Sequence, residues 1–485
     1  MKNDFLMAKK TASSRFVFFA VLAWLAAASA NAATQKYWEL SPYRVQIQLV
    51  VDDREMPRPG CGEDLMASLQ TKIRSTVYPI WKTTIRRPVG AARQQTLTLL
   101  KTNETGEGVD LTSQSSGSDK LMFLSVKTTR LGVELRCREY DCTTQRWGTI
   151  HQQTIRQAAL LYENCFQLLC ETFAPLATVR SIADSDKEVL LNFRGNELPR
   201  QSELSFLTIA GEPFQPLMVR TTSSGEIKAD SIRDISWTYL TLSGKQEDGW
   251  HGRIHSGTRR PFGIRRRGRI EHFALALRTP PTSSDVRFYA RHDSTLGLTG
   301  YEVFRRKPDD TSTQPMGLTN SAGAISVTPG EQAVTILFLR SEGQLLAKVP
   351  VVPGVKALIE VPIADDTARL RAQAALTSLT EQLIDTVAKR NLLIARVRDR
   401  LNNGKLEEAQ ELFTELDSLP GRSQFDRDIR TAGERELHRS SDPKVQQRID
   451  KLFADTRKLL SRFLSTKPIA EVQGELTAAR RAKPG

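Results

Sequence analysis

The chain has 485 residues, and its 69 Lys and Arg residues outnumber its 55 Asp and Glu residues, so the formal charge is +14. This length predicts two to four domains, and the basic balance favours anionic neighbours such as envelope polymers, lipid headgroups or acidic proteins. Neither the nucleophile-elbow motif G-x-S-x-G nor the phosphate-binding motif G-x-x-x-x-G-K-[ST] occurs, so the enzyme classes that depend on them are not indicated.

Residues 1–32 have the pattern of a cleavable signal peptide. The uncharged apolar run 16–30 would span roughly 22 Å as a helix, which is short of the ~30 Å hydrocarbon core of a membrane. Small residues then surround a cleavage point between Ala32 and Ala33. The sequence therefore predicts an exported protein, periplasmic or extracellular, with a mature charge of about +11. An uncleaved N-terminal anchor is the alternative.

Residues 40–185 are predicted to form an α/β domain. A strand is expected at 43–51 because the residues alternate and many are β-branched, and an amphipathic helix is expected at 64–81 from apolar residues at every fourth position. Further strands are predicted at Gln95–Leu100, Leu121–Val126, Gly132–Tyr140 and Trp147–Thr154, followed by a helix at Gln157–Phe173.

Every cysteine lies in this domain, and in an oxidising compartment such residues can form disulfides. Cys165 and Cys170 are five positions apart on a predicted helix, about 140° around its axis, which disfavours a bond between them. A single disulfide and buried free thiols that act as small apolar side chains both remain open. Spacings typical of zinc sites are missing. The five candidates are Cys61, Cys137, Cys142, Cys165 and Cys170.

The segment SDKLMFLSVKTTRLGVELRCREYD resembles part of a known type of exported domain. An apolar strand (122–126), a basic turn (128–130) and a strand that ends at Asp141 precede Thr143 and Thr144. This order, with a strand and long helix before it and a helix after it, is similar to the domains at the front of the periplasmic Tol propeller protein and of the curli-secretion lipoprotein. Those domains bind envelope proteins, so the resemblance implies a binding role and no chemistry.

Residues 186–296 are predicted to be an all-β domain, because short apolar runs alternate with Gly, Pro and Ser turns. A small barrel and a sandwich both fit this spacing. The unusual feature is a loop with seven guanidinium groups, which repel one another unless they are solvated or paired with anions. We expect a surface that docks phosphate or carboxylate polymers, or else a solvated loop paired with acids elsewhere; nucleic acid is a less favoured target, since exported proteins seldom meet it. The loop residues are Arg253, Arg259, Arg260, Arg265, Arg266, Arg267 and Arg269.

Two short motifs could hold a metal ion or transfer protons, and neither is favoured. His251 and His255 lack the Glu that follows the first His of zinc peptidases, and the glycines around them predict a non-helical segment. Asp52 and Asp53 follow a strand, where paired surface acids are common. The sequence thus predicts no catalytic residue, no metal ligand and no cofactor.

Residues 297–363 are predicted to form a β-sandwich. A turn with Gly317, Thr319, Asn320 and Gly323 leads into a strand and is followed by Pro329-Gly330 and a long apolar strand. This order resembles the carboxypeptidase regulatory-like or transthyretin-like sandwich, whose members are usually non-catalytic spacers or stabilisers. The basic segment 305–307 departs from that pattern and has no predicted role.

Residues 364–485 are predicted to be helical. Apolar residues between 376 and 401 recur at steps of three and four and form one stripe, which is typical of the core of a helix bundle. Asn403-Gly404 ends this helix, and the segment 406–416 makes a pair with it that resembles one tetratricopeptide-type hairpin. Two or three more helices are predicted, at about 424–438, 443–465 and 468–482. The second has an N-cap at 441–442 and Pro443 at its first position.

The sequence as a whole predicts a multi-domain α+β protein, with an α/β sandwich domain, central all-β modules and a C-terminal helical bundle. The predicted function is that of a non-catalytic exported envelope protein that binds or scaffolds anionic or protein partners. An exported hydrolase or carbohydrate-acting enzyme with accessory β modules is the alternative. It would need a cleft with two carboxylates, or the two histidines converging with an acid.

Overall fold

The computed structural model describes residues 37–482 apart from gaps at 53–59, 104–105, 107–108, 110, 183–184, 202–208, 223–226, 228–230, 248, 259, 263–268, 309, 342–343 and 441. The proposed cleavage point, Ala32 and Ala33, lies outside these residues. The described part combines α and β structure, with four β-sheets followed by C-terminal helices. No helix within it is long and apolar enough to cross a membrane.

A six-stranded sheet with helices on both faces forms the first part, which we call the α/β unit. Strand β1 is parallel to β2 and β3, and the antiparallel strand β4 pairs with β3, β5 and β6. The strands are β1 (Tyr43–Val51), β2 (Trp81–Arg86), β3 (Lys120–Thr129), β4 (Gly132–Asp141), β5 (Arg146–Trp147) and β6 (His151–Ile155). The helices are α1 (Cys61–Thr76), α2 (Gly90–Leu99), α3 (Thr112–Ser115) and α4 (Leu161–Thr172).

Strand β3 contributes side chains to the hydrophobic cores on both faces of the sheet. Met122 and Leu124 pack with α1 and α4 on one face of the sheet, whereas Leu121 and Phe123 pack with Leu99 of α2 on the other. Successive side chains of a strand point to opposite faces, so a strand between two helical layers is apolar on both. The run LMFLSV has this composition.

Two predictions in this unit are wrong. Residues 95–100 were expected to be a strand, but most of them belong to helix α2, whose Leu99 is buried against the sheet. The helix expected at 64–81 ends at Thr76, and residues 81–86 form the strand β2 instead. Pro79 between them cannot donate a helical hydrogen bond, which favours the break. Short segments with T-L-T-L alternation fit either structure, and packing decides between them.

A closed six-stranded barrel follows, which we call the barrel unit. Its strands run in the order β9-β11-β12-β8-β7-β13, and β13 pairs with β9 to close the ring. This confirms the barrel alternative of the sequence prediction. The bounds are β7 (Leu176–Ser181), β8 (Glu188–Phe193), β9 (Pro213–Thr221), β11 (Thr238–Gln246), β12 (Gly249–Ser256) and β13 (Arg269–Ala276), and a short strand, β10 (Arg233–Asp234), adds to β9.

The α/β unit and the barrel share one continuous apolar core. At their boundary the Tyr43 hydroxyl donates a hydrogen bond to the carbonyl oxygen of Leu176 at 3.2 Å and accepts one from its N–H at 3.0 Å. The indole N–H of Trp38 donates to the carbonyl oxygen of Asn192 at 3.0 Å. Apolar packing and hydrogen bonds therefore both cross the boundary between the two units.

Two four-stranded sheets around a second core form the sandwich unit. In one sheet β14 is central, parallel to β21 and antiparallel to β15 and β18; the other has the antiparallel order β17-β16-β19-β20. The bounds are β14 (Ser284–Ala290), β15 (Asp293–Gly297), β16 (Glu302–Arg306), β17 (Gln314–Leu318), β18 (Ala324–Val327), β19 (Thr335–Ser341), β20 (Gln344–Val351) and β21 (Leu358–Ile363).

The helical unit is organised along one long helix of 36 residues, α5. Its N-terminal half packs on α7 and α8, and its C-terminal half packs on α6 and α9, so two separate apolar clusters lie on one helix. This confirms that the apolar stripe of the sequence is a bundle core. The bounds are α5 (Thr367–Asn402), α6 (Leu406–Asp417), α7 (Arg422–Glu434), α8 (Pro443–Phe463) and α9 (Lys467–Ala482).

Candidate functional site

A cleft of about 940 Å³ lies where the α/β unit, the barrel and the sandwich meet, and we call it the three-unit cleft. Its volume is in the range of ligand pockets in proteins. The α/β unit contributes β6 and α4, the barrel contributes β11, β12 and the turn before β9, and the sandwich contributes the turn before β19. The cleft therefore exists only because three consecutive parts of the chain are packed together.

Glu212 is the buried acid of the cleft and precedes β9. One carboxylate oxygen lies 2.7 Å from Nε of Arg278, and the other accepts a hydrogen bond from the N–H of Ile209 at 3.3 Å. Burial raises the pKa of Glu212 to about 7, although Arg278 and the Ile209 N–H act in the opposite direction. A carboxyl group with this pKa can gain or lose a proton near neutral pH.

Arg278 joins the barrel to the α/β unit at the edge of the cleft. Its carbonyl oxygen accepts a hydrogen bond from the Thr149 hydroxyl and lies 3.1 Å from Nε2 of His151. Burial lowers the pKa of His151, and the Arg278 carbonyl only partly offsets this effect. The imidazole is therefore neutral near pH 7 and acts as a hydrogen-bonding group of the cleft wall.

Two further carboxylates line the cleft, but they are exposed and committed to other partners. Glu171 of α4 accepts a hydrogen bond from the Gln167 amide at 2.9 Å. Glu331 of the sandwich forms an ion pair with Lys307 at 2.7 Å. The cleft thus contains one buried acid among amides, hydroxyls, prolines and the half-exposed side chain of Ile209. This lining suits the binding of a polar ligand or an extended chain.

The two histidines of the H-x-x-x-H motif are both buried on strand β12, so the expectation of a non-helical segment is confirmed. Nδ1 of His251 lies 3.7 Å from a carboxylate oxygen of Glu188, whereas Nε2 of His255 lies 2.7 Å from the Thr241 hydroxyl. Across the residues that the structure describes, no group of three or more His, Cys, Asp or Glu side chains is arranged to hold a metal ion. Asp52 directly follows β1, and Asp53 lies outside the described residues.

The arginine segment is described only in part. Arg253 is exposed on β12 and lines the three-unit cleft, and Arg260 is exposed just after this strand. Arg269 begins β13. Arg259, Arg265, Arg266 and Arg267 lie outside the described residues, so the docking surface stays a prediction.

Cys137, Cys142, Cys165 and Cys170 are free thiols in the structure. Cys61, Cys137 and Cys165 are buried in the shared core, and Cys142 and Cys170 are partly buried. Burial raises the pKa of Cys137 and of Cys142 to about 12. These thiols are therefore neutral near pH 7 and pack as small apolar groups.

The sequence analysis missed the acid and the cation at the centre of the cleft. Glu212 stands in an ordinary G-E-P turn and Arg278 at a strand end, and neither carries a local signal. A buried lysine, Lys120, was also missed, although its two partners had a signal: Glu139 and Asp141 are two residues apart on one strand and so share a face.

Comparison with known proteins does not place the chain in a family, since no family and no curated protein matches it. Two solved structures are weakly similar. TolB from Acinetobacter baumannii is 9% identical, with 65% of this chain and 84% of that chain covered at a TM-score of 0.17. The Bacillus anthracis TIE protein is 10% identical, with 44% and 46% covered at a TM-score of 0.14. TM-scores this low carry no argument about fold or function.

Proposed function

We propose that this chain is an exported, non-catalytic envelope protein that binds a partner in the three-unit cleft. The observation that carries the proposal is the position of the cleft at the junction of three units. Ligand sites occur preferentially at domain interfaces. The pattern of residues 1–32 supports export, and the basic mature chain supports an anionic or protein partner.

The α/β unit is proposed to be related to the Tol-type and curli-secretion-type exported domains. Its strand, long helix, hairpin and closing helix follow the expected order. The turn after the hairpin also has a physical reason for its residues: one carboxylate oxygen of Asp141 accepts hydrogen bonds from the N–H of Thr144 at 2.6 Å and from its hydroxyl at 2.7 Å. A strand that ends in Asp before a Thr turn is thus locally stabilised.

The sandwich is proposed to be a carboxypeptidase regulatory-like module. Its turn motif links β17 of one sheet to β18 of the other. The Asn320 side chain accepts hydrogen bonds from the N–H groups of Ala322 and Ala324, and the Thr319 hydroxyl accepts one from Tyr301 N–H. Gly323 has φ of +75°, a conformation that favours glycine. These contacts support a structural role for the motif.

The cleft can be tested by a bulky substitution that obstructs partner binding. Ile209→Trp places an indole in the cleft, at a side chain that is 48% exposed. Leu296→Trp is the control: it adds an indole to the sandwich outside the cleft, at a side chain that is 46% exposed. Both variants and the wild type are immobilised and exposed to the envelope fraction, and the captured components are quantified. We expect at least one component to be retained by wild type and Leu296→Trp and reduced about tenfold by Ile209→Trp. Equal capture by all three proteins would contradict the proposal.

A hydrolytic function is the second candidate, and Glu212 is the observation that favours it. A buried carboxyl group with a pKa of about 7 is suited to act as a general acid or base. Two exposed and already paired carboxylates are weak partners for it, which is why binding is preferred. Release of soluble product from the envelope fraction by wild type but not by Glu212→Gln would overturn the non-catalytic assignment.

A further inference from the structure

The boundary between the barrel and the sandwich brings cationic side chains together, and we call it the barrel–sandwich seam. Strands β11 and β12 contact β20 along it. Gly257, just after β12, packs so closely that a Cβ there would collide with the carbonyl oxygen of Lys348. The Lys348 side chain lies near His255 of the barrel and near Arg306 of the sandwich.

The charges that act on the seam are of one sign. Burial, followed by the charges of Arg253 and Lys348, lowers the pKa of His255 to about 4. The pKa of Lys348 is also lowered, first by burial and then by Arg306. Among the described residues, the charged groups that act on His255 and Lys348 are therefore all cations. Like charges in a half-buried seam repel each other unless an anion lies between them.

A pocket of about 300 Å³ opens beside the seam and is separate from the three-unit cleft, although both touch Glu331 and Gln332. The basic segment 305–307 lines one side of it, and the turn 328–330 lines the other. The Arg306 guanidinium lies over the ring of Phe338, 4.8 Å from its centroid. This stacking holds the guanidinium in place at the pocket wall.

Arg306 is the cation of this pocket whose charge is not already matched. Its Nε is buried and has no hydrogen-bond acceptor among the described residues. The two carboxylates of the pocket have other partners: Glu331 pairs with Lys307 at 2.7 Å, and Asp310 accepts a hydrogen bond from the Ser312 hydroxyl at 2.7 Å. Arg305 contacts a neutral group, the side-chain oxygen of Gln314. The pocket therefore offers the Arg306 guanidinium without a carboxylate partner in the described residues.

We propose that the pocket beside the barrel–sandwich seam binds a soluble phosphate group, free or linked to a polymer chain, through Arg306. A guanidinium fork donates two parallel hydrogen bonds to a phosphate, and Lys348 on β20, two strands away in the same sheet, adds a point charge to the field. A compact anion with two or more charges matches this surplus better than a single carboxylate does. The inference deepens the proposed function and rests on it for the role of an anionic partner, but Arg306 and Lys348 do not line the three-unit cleft.

Calorimetric titration with inorganic pyrophosphate at low ionic strength tests the proposal. Arg306→Gln removes the main donor, and Arg340→Gln is the matched control: Arg340 lies over Phe304 at 4.6 Å on the same sheet but does not line the pocket. Both variants lose the same formal charge. We expect the pyrophosphate dissociation constant to rise at least about tenfold in Arg306→Gln and less than about twofold in Arg340→Gln. The dissociation constant of Lys348→Gln is expected to lie between those of the two variants.

Absence of pyrophosphate binding by the wild type, or equal weakening by Arg306→Gln and Arg340→Gln, would overturn the site. If Arg306→Gln does not fold, Arg306→Lys against Arg340→Lys replaces the pair, because lysine keeps the charge and loses the fork. A second arm uses phosphatidylcholine vesicles that contain phosphatidic acid. A bilayer surface cannot enter a recessed pocket, so we expect no Arg306-dependent retention; such retention would overturn the assignment to a soluble or chain-linked phosphate. If Ile209→Trp loses partner capture but keeps its pyrophosphate binding, the cleft and the phosphate pocket are independent sites.

Discussion

At the scale of single residues, the charges buried between the α/β unit and the barrel are the notable feature. Lys120 is fully buried, and its Nζ lies 2.7 Å from a carboxylate oxygen of Glu139 and 2.7 Å from one of Asp141. Burial alone would lower the pKa of Lys120, but Asp141 and Glu139 outweigh it, so the pKa is raised. The lysine is therefore charged at every physiological pH. A buried charge is tolerated only when its partners are held in place, and Glu139 also accepts a hydrogen bond at 2.8 Å from the N–H of Ala174, just before the first barrel strand.

Glu212 leads to a prediction about pH and stability. Its pKa is about 7 in the folded state against an ordinary value of 4.5, so the unfolded chain loses this proton first as the pH rises. The contribution of the neutral carboxyl is complete below about pH 4.5 and is lost progressively up to about pH 7. Glu212→Gln has no such loss. We expect its free energy of unfolding, relative to wild type, to increase between these two pH values by up to about 3 kcal/mol.

Urea unfolding at the two ends of this pH range measures the difference. Glu171→Gln is the control, because Glu171 lines the same cleft but is exposed. An increase of the same size in Glu171→Gln would show that the burial of Glu212 is not its cause. A stability difference between Glu212→Gln and wild type that stays constant with pH would show that the carboxyl of Glu212 titrates normally.

At the scale of elements, the helical unit follows its sequence closely. The helices predicted at 443–465 and 468–482 are observed at 443–463 and 467–482. Local signals specify these ends: Asp442 caps α8, Pro443 occupies its first position, and Gly404 after α5 has φ of +71°. The strand predicted at 95–100 failed because its signal was six residues of alternation with no cap or turn around it, and the helix packs Leu99 against the sheet.

The cap of α8 can be tested by itself. The Asp442 carboxylate accepts a hydrogen bond from the N–H of Lys444 at 2.8 Å. Asp442→Ala leaves that N–H without its acceptor, so we expect the helix to lose about 1 kcal/mol of stability. Asp442→Asn keeps an acceptor and should lose only a few tenths of that amount. Hydrogen exchange of the α8 amides measures both changes, and equal losses in the two variants would assign the effect to the charge and not to the cap.

At the scale of the whole molecule, the hydrophobic cores do not correspond one to one with the four units of the chain. The α/β unit and the barrel share one apolar cluster, whereas the sandwich has a cluster of its own and the helical unit has two. Strand β7, within the residues predicted for the α/β domain, pairs in the barrel, and β14 begins the sandwich. The cooperative unit of unfolding is therefore expected to include both the α/β unit and the barrel.

Tyr43→Phe tests this coupling. The change removes both hydrogen bonds between the Tyr43 hydroxyl and the Leu176 backbone, so a buried N–H and a buried carbonyl lose a partner. We expect a loss of about 1 to 3 kcal/mol. Hydrogen exchange should show reduced protection in β1–β4 and in the barrel strands together, with the helical unit unchanged. Tyr289→Phe in the sandwich is the control and should affect the sandwich alone; a loss confined to the α/β unit in Tyr43→Phe would refute the coupling.

The local structure of most elements could be predicted from the sequence, because apolar period, caps and turn residues act within a few positions of one another. The sequence also indicated a barrel or sandwich in the centre and a bundle core at the end, because stripes and short alternating runs report which faces are buried. Its predictions of export and of the arginine docking surface concern residues that lie largely outside the described part, and they stay predictions.

The two proposed binding sites, in contrast, follow from the packing of distant segments. His151, Glu212, Arg278 and Glu331 come from four distant segments, and the seam joins Arg253 and His255 to Arg306 and Lys348. No local pattern contains such proximity, because periodicity reports that a face is buried and not which face it meets. Packing brings these segments together, and the low-dielectric surroundings that packing creates raise the pKa of Glu212 and make the surplus of cations at the seam costly.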